Sequence, residues 1–168
     1  AYMAEYPPAP LASIAAGINI DAMLPTPPTR DIIVVGYGAS DLEDTLKSVA
    51  EPKGKYLRPD PESEKGYFYR SDHVSLAKKG VPMLYADNGI DVVEGGEDIG
   101  RAIATSYTDE RYHKPADELT GDWRFDGIAE STLLLYETGA IIANSSEWPN
   151  WYEGNEFRSI RDAQRSAE

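Results

Sequence analysis

The chain has no cysteine in its 168 residues, and histidine occurs only as His73 and His113. The first absence removes disulfides, thiol nucleophiles and thiolate metal sites together, and leaves the redox compartment open. The second excludes a three-histidine metal centre or a His-Glu-x-x-His helix within the chain, so a metal held here draws most of its ligands from carboxylates. No apolar run approaches the ~18 residues of a membrane span. The opening AYMAEYPPAPLAS lacks the basic-then-apolar pattern of a secretory signal, and its first residue, Ala rather than Met, raises the expectation of further chain upstream. Basic residues are also few: 16 Lys plus Arg stand against 29 Asp plus Glu, a net charge of -13. Phosphate backbones and anionic membrane surfaces repel such a chain, which sets nucleic acid aside as a partner.

What is present suits a globular protein, with 41% apolar and 27% charged residues. The length fits one domain over residues 1–168, with 144–168 as a C-terminal extension. LASIAAGINID reads as an apolar run whose second half is a buried strand delivering Asp21 at its C-terminal end. PTPPTR is a loop, because its prolines cannot continue a ladder. DIIVVG is a short β-branched strand covered on both faces. A helix follows from about Asp41 to Glu51, with Leu42, Leu46 and Val49 on one face and Ser40 placed to cap it.

Residues 52–65 read as an exposed connection. Arg70-Ser71-Asp72-His73 opens a short helix closing at Gly80, and Val81–Tyr85 is a further strand. Residues 86–111, rich in Gly and acid, read as a long surface loop with at most one helical turn. A long helix from Asp126 to Ala143 carries Ile128, Thr132, Leu135, Tyr136, Gly139 and Ile142 on one stripe, and a polar helix ends near Arg165. Strands alternating with helices indicate an α/β fold, a mostly parallel sheet covered by helices, with ligands bound at the carboxyl ends of strands.

Three clusters carry candidate chemistry. Tyr112-His113 is followed four residues later by Asp117, whose carboxylate is placed to take one imidazole N–H and leave the other nitrogen for a metal. A loop histidine is equally a surface or packing residue. Asp21 at the end of an apolar strand is costly unless paired or metal-bound, and a helix cap or salt bridge is its plainer role. Ser71-Asp72-His73 reads equally well as a capped helix start. Gly36-x-Gly38 sits where a dinucleotide fingerprint begins, but Asp41 occupies the third glycine's place and opposes a pyrophosphate. No Gly-x-Ser-x-Gly elbow supports a serine hydrolase, and nothing supports a Ser71/His113/Asp triad.

In order, these pieces are Asn19-x-Asp21 at a strand end, Arg-Ser-Asp-His opening a helix, Gly-Val-Pro entering a strand, and Tyr-His-x-x-x-Asp before a long helix. That order resembles the C-terminal half of the co-catalytic zinc aminopeptidases, from about Ile14 to Ala143. The family also holds carboxypeptidases, glutaminyl cyclases and a non-catalytic receptor branch. The resemblance implies a zinc exopeptidase-like fold and hydrolysis of peptide substrates by metal-activated water. Asp21 and His113 match ligands to two zincs, and Tyr112 matches the hydroxyl that holds the oxyanion. Ser71, Asp72 and His73 match a pocket loop, and Asn19 belongs to the strand-end motif.

The family's site further needs an earlier histidine, a metal-bridging aspartate and a Glu-Glu pair, all preceding Asp21. Residues 1–20 contain no His, no Asp and one glutamate, Glu5. The general base and several ligands are thus missing from this chain, which is expected to be inactive alone. The expectation is either a fragment or processed product completed by a missing N-terminal half or a homo-oligomer, or a non-catalytic interaction domain descended from the fold. Placement outside the cytoplasm is common among relatives.

Overall fold

The computed structural model describes residues 2–166. In chain order the elements are α1 (Tyr2–Glu5), β1 (Gly17–Asn19), β2 (Asp31–Val34), α2 (Leu42–Ala50), β3 (Tyr56–Pro59), α3 (Tyr67–Arg70), α4 (Val74–Ala77), β4 (Met83–Asn88), α5 (Gly96–Glu110), α6 (Asp126–Asn144) and α7 (Arg158–Ser166). The strands form one sheet in the order β1-β4-β2-β3. β1 runs parallel to β4, and β2 parallel to β3, while β2 and β4 meet antiparallel. The fold is α/β, as the alternation of elements predicts, and the sheet is mixed. Among the described residues no helix is long and apolar enough to cross a membrane.

Side-chain alternation in β4 splits the core in two. Leu84 and Ala86 join Ile32 and Val34 against Leu42, Leu46 and Val49 of α2 and Leu134 and Leu135 of α6. Met83 and Tyr85 face the other way, against Phe68, Val81, Trp151 and Phe157. β1 is only partly buried and ends two residues before Asp21.

Four expectations need correction. Residues 52–65 contain a strand: Tyr56–Pro59 pairs with β2 as an edge, where a terminal proline is tolerated. Its Arg58 donates from Nε to the fully buried Asp31 (2.7 Å), which also accepts the backbone N–H groups of Ile90 (3.2 Å) and Asp91 (2.8 Å). Residues 86–111 are not a loop but hold the 15-residue helix α5. The helix escapes a periodicity search because its one buried residue is Gly100, where a Cβ would meet the Ile90 carbonyl oxygen at 1.9 Å. It docks by close backbone approach rather than by an apolar stripe. In α6 the buried residues are Gly127, Ser131, Leu134, Leu135 and Thr138, while Tyr136 is 70% exposed. Small residues set that face: a Cβ on Gly127 would meet the Thr26 carbonyl oxygen at 2.4 Å.

The fourth correction is the start of α2. Ser40 makes no capping hydrogen bond. Gly36 and Gly38, both at positive φ, turn the chain so that the amides of Gly38 (2.9 Å) and Ala39 (2.8 Å) converge on the carboxylate of Glu43. Burial raises the Glu43 carboxyl above its ordinary range, and the backbone donors pull it back. Replacing Glu43 by Ala orphans these buried donors and is expected to cost about 1–3 kcal/mol in urea unfolding, with Glu43→Gln costing less because it keeps an acceptor.

Candidate active site

β1 and the α3–α4 junction meet at three of the residues singled out above. The Asn19 amide donates from Nδ2 to Ser71 Oγ (3.0 Å), and Ser71 Oγ donates to Asp21 Oδ2 (2.5 Å). Asp21 Oδ1 takes the backbone N–H of Ala22 (2.9 Å). Asp21 is exposed, so relief from desolvation is not what holds it. The hydroxyl fixes its orientation instead. Ser71, a residue equally readable as a helix cap, thus faces the strand end and joins Asn19 to Asp21.

His73 follows Ser71 by two residues and points inward. It is 3% exposed and lies edge-on to both Phe68 (ring centroids 4.6 Å) and Tyr85 (5.2 Å). Neither ring nitrogen has a hydrogen-bond partner. Burial lowers its pKa to about 4 against the opposing charges of Asp21 and Asp72, so the ring is neutral at pH 7. Asp72 itself is exposed.

Tyr112 and His113 leave the C-terminal end of α5. Their rings stack at 3.9 Å, and His113 takes a left-handed φ of 57°. Both are exposed. Asp117 does not serve the imidazole: both its oxygens accept the Tyr107 hydroxyl, at 3.1 Å each. Tyr107 lies in the last turn of α5, a helix that occupies part of the segment expected to be a loop, and it brings this hydroxyl to Asp117 in place of the imidazole.

One carboxylate escaped the sequence reading. Asp87, next to last in β4 and partly buried, accepts the backbone N–H of Asn88 (2.8 Å). Burial pushes its carboxyl up to about 7, with the charges of Asp21 and Asp60 adding to the effect. The Tyr85 hydroxyl, also raised by burial, feels Asp87, Asp21, Asp60 and Tyr112. A carboxylate ending an apolar strand is the signal that singled out Asp21, and Asp87 after Val81–Ala86 carries it too.

Residues 1–136 match the family model of peptidase family M28. The chain belongs to peptidase family M28. This is the co-catalytic zinc aminopeptidase family that the motif order resembles, and membership makes the chain part of a metallopeptidase family whose members normally bind zinc. Neither the curated proteins nor the solved structures gave a match. The M28 match ends within α6, so the Trp151 segment and α7 lie beyond it. Among the described residues no group of three or more His, Asp or Glu side chains is arranged to hold a metal ion. One Asp21 oxygen is already committed to Ser71. These residues do not by themselves fit a zinc centre, and no metal-dependent step can be written on them alone.

The Asp87 environment has a measurable consequence. A carboxyl raised from 3.8 to about 7 keeps its proton in the folded state where the unfolded chain has lost it. That contribution to stability is complete below the ordinary value and is lost as pH rises through about 7. Asp87→Asn is expected to flatten the fall in stability across this interval, read from thermal midpoints against pH.

Proposed function

We propose that this chain forms the C-terminal portion of a zinc-dependent M28 exopeptidase that removes N-terminal residues from peptides. Asp21 and His113 each contribute one metal ligand, and the remaining ligands and the general base come from a missing N-terminal half or a second copy. The observation that carries this reading is the Asn19–Ser71–Asp21 arrangement in an M28 chain: a strand-end carboxylate held in one orientation by a neighbouring hydroxyl. Second-sphere bonds of this kind orient metal ligands and tune their basicity. Tyr112 donates its hydroxyl to the carbonyl oxygen that gains charge as the peptide bond is attacked, where a hydrogen bond counts most.

Completion by further chain is supported at the sheet margin. β1 is an edge strand, and α6, which approaches β1 so closely that a Cβ added to Gly139 would lie 3.4 Å from Ile18 Cδ1, leaves Leu133 and Tyr136 exposed. Open edges and apolar faces together suit a partner segment. Alone, the chain lacks a residue to activate water and is inactive.

Calorimetric zinc titration of the chain beside an Asp21→Ala/His113→Ala double variant tests the ligand assignment. Because the chain alone supplies one ligand to each metal, binding weaker than micromolar (about -8 kcal/mol) is expected for it. Binding should rise to micromolar or tighter, and be lost in the double variant, once the N-terminal half is supplied. Micromolar binding that survives the double variant excludes these residues as ligands. In the completed enzyme Tyr112→Phe should lower kcat about 100-fold with KM little changed, measured on an aminoacyl anilide.

A further inference from the structure

The segment beyond the M28 match returns across the molecule and grips the entrances of two neighbouring strands. Arg161 of α7, 1% exposed, donates from Nη1 to the Leu11 carbonyl (3.2 Å) and from Nη2 to those of Ile14 (2.9 Å) and Ala15 (3.3 Å). Arg165, one turn on, donates to the Ala12 carbonyl (3.2 Å). Trp148 lies under both guanidinium groups, 3.8 Å from that of Arg165 and 5.5 Å from that of Arg161. These carbonyls belong to the lead-in to β1. The same segment also holds the lead-in to β4: Trp151 Nε1 donates to the Gly80 carbonyl (3.0 Å) and Gln164 Nε2 to that of Lys79 (2.5 Å). Gly80, at φ 88°, leaves room for this approach, since a Cβ there would meet the Arg161 backbone nitrogen at 3.0 Å.

β1 and β4 are parallel, so no tight turn sets their register, and only Gly17–Asn19 pair with Met83–Tyr85. A slip of one residue would turn Asn19 and Asp21 to the opposite face, away from Ser71. An edge strand of three residues needs an outside reference, and α7 supplies one by holding both lead-ins at once. We propose that Arg161 and Arg165 are positioning residues for the active site: by clamping the lead-in of β1 to α7, whose Gln164 holds the lead-in of β4, they fix the register that brings Asn19 and Asp21 to the Ser71 hydroxyl. The functional side of this proposal rests on Asp21 being a metal ligand; the clamp itself does not.

The test is amide hydrogen exchange by NMR on the full chain, with the Asn19 side-chain amide signal followed alongside. Arg161→Met should speed exchange at Gly17–Asn19 about ten-fold or more and move the Asn19 amide toward the position of a free amide. Exchange at Ile32–Val34 should stay within about threefold, and Arg161→Lys, which keeps a donor, should fall between. If Arg161→Met does not fold, Arg161→Lys and Arg165→Met carry the same comparison. Equal acceleration in β1 and β2, or unchanged β1 exchange, overturns the proposal. None of these readouts needs metal. Failure of the zinc reading therefore leaves a β1-specific response in place, whereas failure of the clamp appears as unchanged β1 exchange beside Asp21-dependent zinc uptake.

Discussion

A single carboxylate with no solvent exposure, Asp31, ties together parts of the chain that no local rule would bring into contact. It opens β2, takes Arg58 from β3, and accepts two backbone donors from the turn after β4. Gly89 is required at that turn, since a Cβ there would fall 2.0 Å from an Asp31 oxygen. Arg58 passes the connection on to Glu97 in the first turn of α5. The chain leaves the far end of α5 through Tyr112 and His113. A buried ion pair is a poor source of net stability, because desolvation offsets most of the attraction. Removing one member is another matter: a buried charge then stands alone, and the joint between β3, the turn and α5 loses its reference.

Elements whose faces are marked by size and hydrophobicity were legible in the sequence. α2 has its apolar residues where a period of 3.6 demands, β2 is the short β-branched run expected of a strand covered on both faces, and the α/β class followed from the order of the elements. Elements that pack by the absence of a side chain were not. α5 docks through Gly100, and α6 turns a face of Gly127, Ser131 and Thr138 inward while Tyr136 points to solvent. Glycine in a sequence usually signals a break, and only the carbonyl it touches reveals that it is a contact. β3 was hidden differently: its value lies in pairing and in Arg58, neither of which leaves an apolar pattern.

The site divides along the same line. Ser71 lies about fifty residues from Asn19 and Asp21 yet shares one hydrogen-bonded group with them, and the motif order names all three. Asp117 was named for a partner four residues away and bonds instead to Tyr107 on the unread helix. Asp87 was passed over although it ends an apolar strand as Asp21 nearly does. Its unusual protonation comes from burial beside two other carboxylates, a property of the sheet's assembled end rather than of any short stretch of chain.

His113 stands at φ 57°, a backbone region that costs a residue with a Cβ on the order of 1 kcal/mol and costs glycine almost nothing. At this position thermodynamic fitness and chemical usefulness therefore pull in opposite directions. A population of variants sorted only for heat resistance would drift toward glycine there, gaining robustness while erasing the imidazole. Persistence of histidine at that position through such a selection would mean that something other than folding pays its keep.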